Sequence, residues 1–221
     1  MDAAVNSVAM ETMRHAMVAS QLRTNAVNDP RIVAAMARVP REAFLPAAHR
    51  VLAYRDTAVP LGNGRYANVP IATGKLLTEA RIRSTDRVLL IGAAGGYTAA
   101  VLAEVAAFVV AVESDPALVA IAKVALAPYT NVALVEGPLA LGAPDHAPYD
   151  VLVIDGAVEH VPEALAAQIA IGGRAVVGLV DRSVTRLAAG SRSEGGFGLL
   201  DFADIDCVPL PGFSQPAAFV F

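Results

Sequence analysis

Only one of the 221 residues is cysteine, Cys207, and none is tryptophan. A lone thiol excludes an intrachain disulfide framework, and in a strand-like segment it reads as a small core residue rather than a nucleophile. Lysine is nearly as scarce, found at positions 75 and 123 alone. With a net charge of −4 and no basic stripe, no nucleic-acid partner is expected. His15, His49, His146 and His160 are scattered and lack ligand spacing with Cys207, so no metal site is read. Glu104 and Glu113 interrupt the longest apolar candidate, which leaves no run of about 18 residues to span a membrane. The N-terminus mixes Asp2, Glu11 and Arg14 among apolar residues and so lacks a signal-peptide pattern. A cytoplasmic protein with no membrane partner is the expectation. Aromatics make up 5% of a chain that is 55% hydrophobic, so the core must be built largely from Ala, Val, Leu and Ile. The length suits one domain over residues 1–221.

What the chain does contain is a glycine-rich turn, Val88-Leu-Leu-Ile-Gly-Ala-Ala-Gly-Gly-Tyr97. Four apolar residues make a buried strand, the turn lets backbone approach a ligand, and a helix near residues 97–106 presents its N-terminus there. A second apolar strand, residues 108–112, delivers Glu113, 21 residues after Gly92. That is about the spacing at which a Rossmann-like unit sets a carboxylate on a ribose diol. A dinucleotide fingerprint would need glycine at 94 and 97, where the chain has Ala94 and Tyr97, which disfavours NAD. S-adenosyl-L-methionine carries no phosphate and needs only a looser turn and an acid, so a methyltransferase is favoured. The cofactor-binding candidates are Gly92, Ala93, Ala94, Gly95, Gly96, Glu113 and Ser114. Ala94 adds a methyl where backbone should lie close to ligand, and neighbouring Gly95 is expected to supply the permissive conformation.

Around this motif the chain divides into an N-terminal helical cover, residues 1–80, and a Rossmann-like core, residues 81–221. Met10, Met13 and Met17 recur at helical spacing, which predicts an amphipathic helix over about 7–25 with the methionines in the core. Asp29-Pro30 caps the next short helix. Pro40, Pro46 and Pro60, with Gly62 and Gly64, predict an extended cover segment, and Pro70 opens a helix to about Ala80. From Asp86 onward the predicted strands are 88–91, 108–112, 131–135, 151–154 and 174–180, with helices at 97–106, 116–127 and 162–170. This alternation gives an α/β fold whose mostly parallel sheet is covered on both faces. Val184 to Ala189 and Phe197 to Val208, joined by a turn over 191–196, predict an antiparallel C-terminal pair that completes seven strands. The apolar stretch Phe213 to Phe221 either completes the sheet or meets a partner, and the oligomeric state stays open.

With these segments placed, Met17-Val-Ala-Ser-Gln-Leu-Arg23, Asp29-Pro-Arg31, Val39-Pro-Arg-Glu-Ala-Phe-Leu-Pro46 and Ala53-Tyr-Arg-Asp56 resemble the protein-L-isoaspartate O-methyltransferase family. The resemblance runs from about Met17 to Val180. It implies a class I methyltransferase fold, S-adenosyl-L-methionine as cofactor, and methylation of the free carboxylate of isoaspartyl residues in damaged proteins. It also implies an acceptor loop beginning at Gly62-Asn-Gly64, where the family continues Gln-Thr-Ile-Ser-Gln-Pro and this chain reads Arg65-Tyr-Ala-Asn-Val-Pro70. Asn68 stands at the serine close to the reacting centre, with Val69 and Pro70 beside it toward substrate. Leu90 replaces an acid usual before the first glycine, and Val135-Glu136-Gly137-Pro138 replaces Gly-Asp-Gly, leaving Glu136 and Gly137 for the adenine. A small-residue loop after the fourth core strand becomes Asp155-Gly-Ala-Val-Glu159-His160.

Methyl transfer to a carboxylate is chiefly a matter of alignment, because a group with a pKa near 4 is already ionised at pH 7. A hydroxyl or amine acceptor would need a base, and Asp155, Glu159 or His160 is placed at a strand end to supply one. The altered loop predicts weak activity on isoaspartyl peptides. A methyltransferase for a different acceptor and a non-catalytic binding module on the same fold stand as alternatives.

Overall fold

The structure, a computed structural model, describes residues 2–181 and 184–214. Helix α1 (Asp2–Met17) continues through a π-helical turn, Val18–Leu22, and a 3-10 turn, Arg23–Asn25, ending where Ala26 turns left-handed at φ 59°. Met10 and Met17 are buried as expected, whereas Met13 is 38% exposed. Helix α2 (Pro30–Arg38) starts with Asp29 accepting from the Arg31 N–H, and its Ile32, Val33, Ala35 and Met36 face inward. Residues 40–64 are less extended than their prolines suggest. They form 3-10 stretches at Arg41–Phe44 and Ala47–Leu52 and then strand β1 (Val59–Gly62). Strand β2 (Arg65–Ala67) pairs back on β1 across Asn63-Gly64, both with positive φ, the dipeptide that favours a tight hairpin. Helix α3 (Pro70–Glu79) follows.

The core then runs β3 (Arg87–Ile91), α4 (Tyr97–Ala103), β4 (Phe108–Glu113), α5 (Pro116–Ala125), β5 (Val132–Glu136), β6 (Tyr149–Val158), α6 (Glu163–Ala166), β7 (Ile169–Asp181), β8 (Val184–Ser193) and β9 (Gly196–Ala203). Several limits differ from expectation: strand β8 runs on to Ser193, and β9 stops at Ala203, short of Val208. Strand β6 continues past Ile154 to Val158, and α6 is a four-residue turn because β7 already starts at Ile169. The seven strands lie in the order β5-β4-β3-β6-β7-β8-β9. Pairings from β5 through β7 are parallel, and β7-β8 and β8-β9 are antiparallel.

Continuous apolar runs are what a sheet covered on both faces requires. Val88 and Leu90 of β3 join a core shared with α2, α3 and α4, while Leu89 and Ile91 join the opposite core with Tyr149, Leu165 and Phe213. Strands β4 and β6 alternate in the same way. Phe213 is therefore core, and residues 215–221 lie outside the described residues. No helix among the described residues is long and apolar enough to cross a membrane.

Asp115 caps α5, accepting from Ala117 N–H at 2.8 Å and Leu118 N–H at 3.4 Å, and its other oxygen accepts from Asn63 at 3.0 Å. The Asn63 hydrogen bond, joined by the cap bonds, holds its carboxyl below the ordinary aspartate value. Asp115→Ala should cost about 1 kcal/mol in urea denaturation at pH 7. A depressed folded pKa means that this contribution is present above the unfolded value and is lost as pH falls through the folded one. The gap between wild type and variant should therefore hold at neutral pH and close below about pH 4.

Candidate functional site

From β3 the chain steps outward to β4 and β5, then crosses back to β6 on the other side of β3. Ligands of open α/β sheets bind at the carboxyl ends of the strands where the order reverses. Here those ends carry the glycine turn after β3, Glu113 closing β4, and Asp155 within β6.

Gly92 and Ala93 N–H both donate to the Val112 carbonyl, at 3.1 and 3.0 Å, which ties the turn to the neighbouring strand. The permissive conformation expected of Gly95 falls instead on Ala94, with φ 50°, a left-handed setting that costs an L-residue about 1 kcal/mol. Gly95 is required for a different reason: a Cβ there would lie 1.9 Å from the Phe44 carbonyl oxygen. The cover segment thus presses its backbone directly onto the turn.

Glu113 is fully buried. Its Oε1 accepts from Arg65 Nη1 at 2.5 Å, Ser114 N–H at 2.7 Å and Asp115 N–H at 2.9 Å. Its Oε2 accepts from Arg65 Nη2 at 2.9 Å and Ala94 N–H at 2.7 Å. Arg65, quoted above only as a departure in the acceptor loop, thus forms a bidentate ion pair with the proposed ribose acid.

On the other side of the turn, Asn68 is 4% exposed and fixed at both ends of its amide. Nδ2 donates to Asp155 at 3.1 Å, and Oδ1 accepts from the N–H groups of Val69 at 3.1 Å and Val208 at 3.4 Å. Asp155 also accepts from Thr73 at 2.9 Å and from Thr98. Arg41 donates to the Asn68 carbonyl at 2.6 Å and lies 4.8 Å over the Tyr97 ring. Burial pushes the Tyr97 phenol up to about 12 although Arg41 opposes it, and burial likewise raises the Cys207 thiol to about 12. Both are neutral near pH 7, as a core cysteine should be.

These groups surround a cavity of about 20 Å³ lined by Arg41, Arg65, Asn68, Gly92, Ala93, Ala94, Gly95, Tyr97, Thr98 and Asp155, among others. Glu113 sits behind it. The structure brings Asn68, Asp155 and the glycine turn together; Val69 and Pro70 open α3 next to Asn68. Ser114 lines an adjoining open groove with Arg65 and Asp115. Glu136 is in register with Glu113 but exposed, 3.9 Å from Lys123. Gly137 N–H donates to the Glu113 carbonyl at 3.0 Å with open space around it. His160 lies after β6, outside the cavity lining, with Nδ1 buried and without a hydrogen-bond partner. Sequence reasoning missed the parts played by Arg41, Arg65, Thr73 and Thr98. An arginine directly after an Asn-Gly turn was the one usable signal.

Comparison with known proteins gives a consistent result. Residues 12–212 match the family model described as protein-L-isoaspartate(D-aspartate) O-methyltransferase. A protein-L-isoaspartate O-methyltransferase 1 of Rhodopseudomonas palustris is 39% identical, over 94% of this chain and 86% of the relative. One from Methanoculleus marisnigri is 36% identical, over 90% of this chain and 91% of the relative. Among solved structures, a protein-L-isoaspartate O-methyltransferase superposes with TM-score 0.76 at 24% identity, covering 92% of this chain and 66% of the other. A Plasmodium falciparum structure described as such an enzyme in complex with S-adenosyl-L-homocysteine gives 0.73 at 14% identity, over 88% of this chain and 96% of the other. Both likenesses concern the fold.

Asn68→Ala removes the amide that joins Asp155 to the Val208 backbone. It should cost about 1–3 kcal/mol of stability, the penalty of leaving buried polar partners unsatisfied, read by chemical denaturation against the wild-type chain.

Proposed function

This chain belongs to the protein-L-isoaspartate O-methyltransferase family, and we propose that it transfers a methyl group from S-adenosyl-L-methionine to the free carboxylate of isoaspartyl residues in proteins, with reduced activity on that acceptor. Family membership over residues 12–212 carries the reaction class. Its supporting observation is the meeting of the glycine turn, Glu113, Asn68 and Asp155 at the strand ends.

The donor set suits the cofactor in kind: an acid at the end of β4 for a ribose diol, and a turn that approaches closely. The conformation is closed, however. Both Glu113 oxygens are engaged by protein donors, and the cavity beside the turn, about 20 Å³, admits about one water; the several hundred Å³ that a ligand of this size fills is found in the adjoining open groove of about 520 Å³ lined by Arg65, Ser114 and Asp115.

When bound, the cofactor supplies an electrophilic methyl group. The chain's own task is then alignment and exclusion of water, since the acceptor carboxylate is ionised at pH 7 and needs no base. Asn68 is the residue we assign to orienting the acceptor, with Val69 and Pro70 shaping the loop behind it. Reduced activity follows from Asp155. It already takes the Asn68 amide donor at 3.1 Å, and its charge opposes an incoming carboxylate by about 3 kcal/mol at roughly 5 Å and an effective dielectric near 20. Arg41, Thr73 and Thr98 offset part of that cost. A different acceptor is favoured by the same observation, because a carboxylate beside Asn68 would accept a proton from a hydroxyl or amine.

Radiolabelled methyl transfer to an isoaspartyl peptide, with the aspartyl isomer as control, tests the reading. The unmodified chain should show slow but isomer-specific turnover. Asp155→Thr should raise kcat/KM about 10-fold or more, and Asn68→Ser with Val69→Gln should recover part of the rate. Equal labelling of both isomers would remove the isoaspartyl assignment. Fast turnover unaffected by Asp155→Thr would remove the charge argument while leaving the family function intact.

A further inference from the structure

Glu113, with every lone-pair direction met by a donor, is also the group that a ribose would need. A carboxylate offers about four lone-pair sites. Glu113 receives five N–H donors: two from Arg65 and one each from Ala94, Ser114 and Asp115. The three backbone donors come from the turn and from the strand end itself and belong to the site's frame. Arg65 is the visitor. Its fork presents two parallel donors to the two carboxylate oxygens, the arrangement two adjacent hydroxyls of a ribose would offer to the same acid.

Arg65 is also mounted on a hairpin that is separate from the main sheet. Strands β1 and β2 pair only with each other, in a two-stranded sheet apart from the seven-stranded one. The base of the hairpin is anchored by the buried Val59 and Leu61. The tip, Gly62, Asn63 and Gly64, is exposed, and nothing lies within 4 Å of where a Cβ would sit at either glycine. Two polar contacts fasten the tip to the core: Arg65 on Glu113, and Asn63 on Asp115 at 3.0 Å.

We propose that Arg65 is an internal competitor for the cofactor's ribose, and that the β1-β2 hairpin is a strap that must lift this arginine off Glu113 before S-adenosyl-L-methionine can bind. The inference rests on the cofactor assignment above. Closed chains do not bind, so the apparent affinity is reduced by the fraction of chains in which the strap is open.

Two measurements on the full chain decide it. In calorimetry with S-adenosyl-L-homocysteine, Arg65→Ala should bind at least 10-fold more tightly than wild type. Arg65→Gln, a neutral and weaker competitor that keeps a polar group beside Glu113, should fall between them, and circular dichroism establishes that each variant is folded. In limited trypsin digestion of the wild type followed by mass spectrometry, S-adenosyl-L-homocysteine should speed cleavage after Arg65 relative to cleavage after the exposed Arg55. Wild type that binds well, with folded variants binding no tighter, would overturn the strap and leave the cofactor assignment standing. Protection of Arg65 by the ligand would overturn it equally. If neither wild type nor folded variants bind at millimolar concentration, the strap fails together with the cofactor assignment.

Discussion

A charged carboxylate with no exposed surface has to be neutralised where it stands, and Glu113 imposes that requirement on every segment around it. Taking an ion out of water costs several kcal/mol, repaid only when geometry is good and the remaining lone pairs are filled. Here the repayment comes from three places: the turn after β3 through Ala94, the start of α5 through Ser114 and Asp115, and the hairpin through Arg65. The left-handed backbone of Ala94 makes sense in that light. Its strain of about 1 kcal/mol aims an N–H at Oε2 from 2.7 Å.

The second constraint is steric and acts from the cover. Phe44 places its carbonyl where a side chain at position 95 would sit, and Leu210 and Leu126 would lie 2.9 Å from a Cβ at Gly92 and Gly96. The glycines therefore permit close packing of protein on protein as much as approach of a ligand. Phe44 also meets the Tyr97 ring edge-on at 6.0 Å, and Arg41 covers the same ring. One short 3-10 segment, Arg41–Phe44, thereby couples the cover to the turn, to Tyr97 and to Asn68.

How much of this was legible in the sequence depended on how local each cause is. Strands β3, β4 and β6 were readable because burial on both faces leaves an unbroken apolar run, and Glu113 because its distance from Gly92 is set by one helix and one strand. The hairpin is obscured by its neighbours, because Pro60, Gly62 and Gly64 point to extended cover although Asn63-Gly64 is a turn signal. Helix α6 was overestimated because the apolar residues after it belong to β7, and short apolar runs do not separate helix from strand. Arg65 is marked in the sequence by its place directly after an Asn-Gly turn, but its partner is 48 residues away and nothing in the loop identifies an acid. Asp155 is legible as a candidate base at a strand end, yet its three donors come from α3, α4 and the loop before α3, elements brought together only by the crossover of the sheet.

The departures from the family pattern make physical sense as a set. Arg65 brings a positive charge into a loop where the pattern has glutamine, and Asp155 brings a negative one into a loop where it has small residues. Each of the two changes meets a group of opposite charge. Together they leave the cavity with Arg41 and Arg65 against Glu113 and Asp155, and the geometry divides the work: Arg65 neutralises Glu113 directly, while Arg41 faces Asp155 across Asn68. Leu90 fits the same arrangement, because an acid there would enter a fully buried core position already committed to packing with the cover. A further anion here would have no cation of the site left to meet it, so the loss at Leu90 and the gain at Asp155 keep the charge of the site in balance.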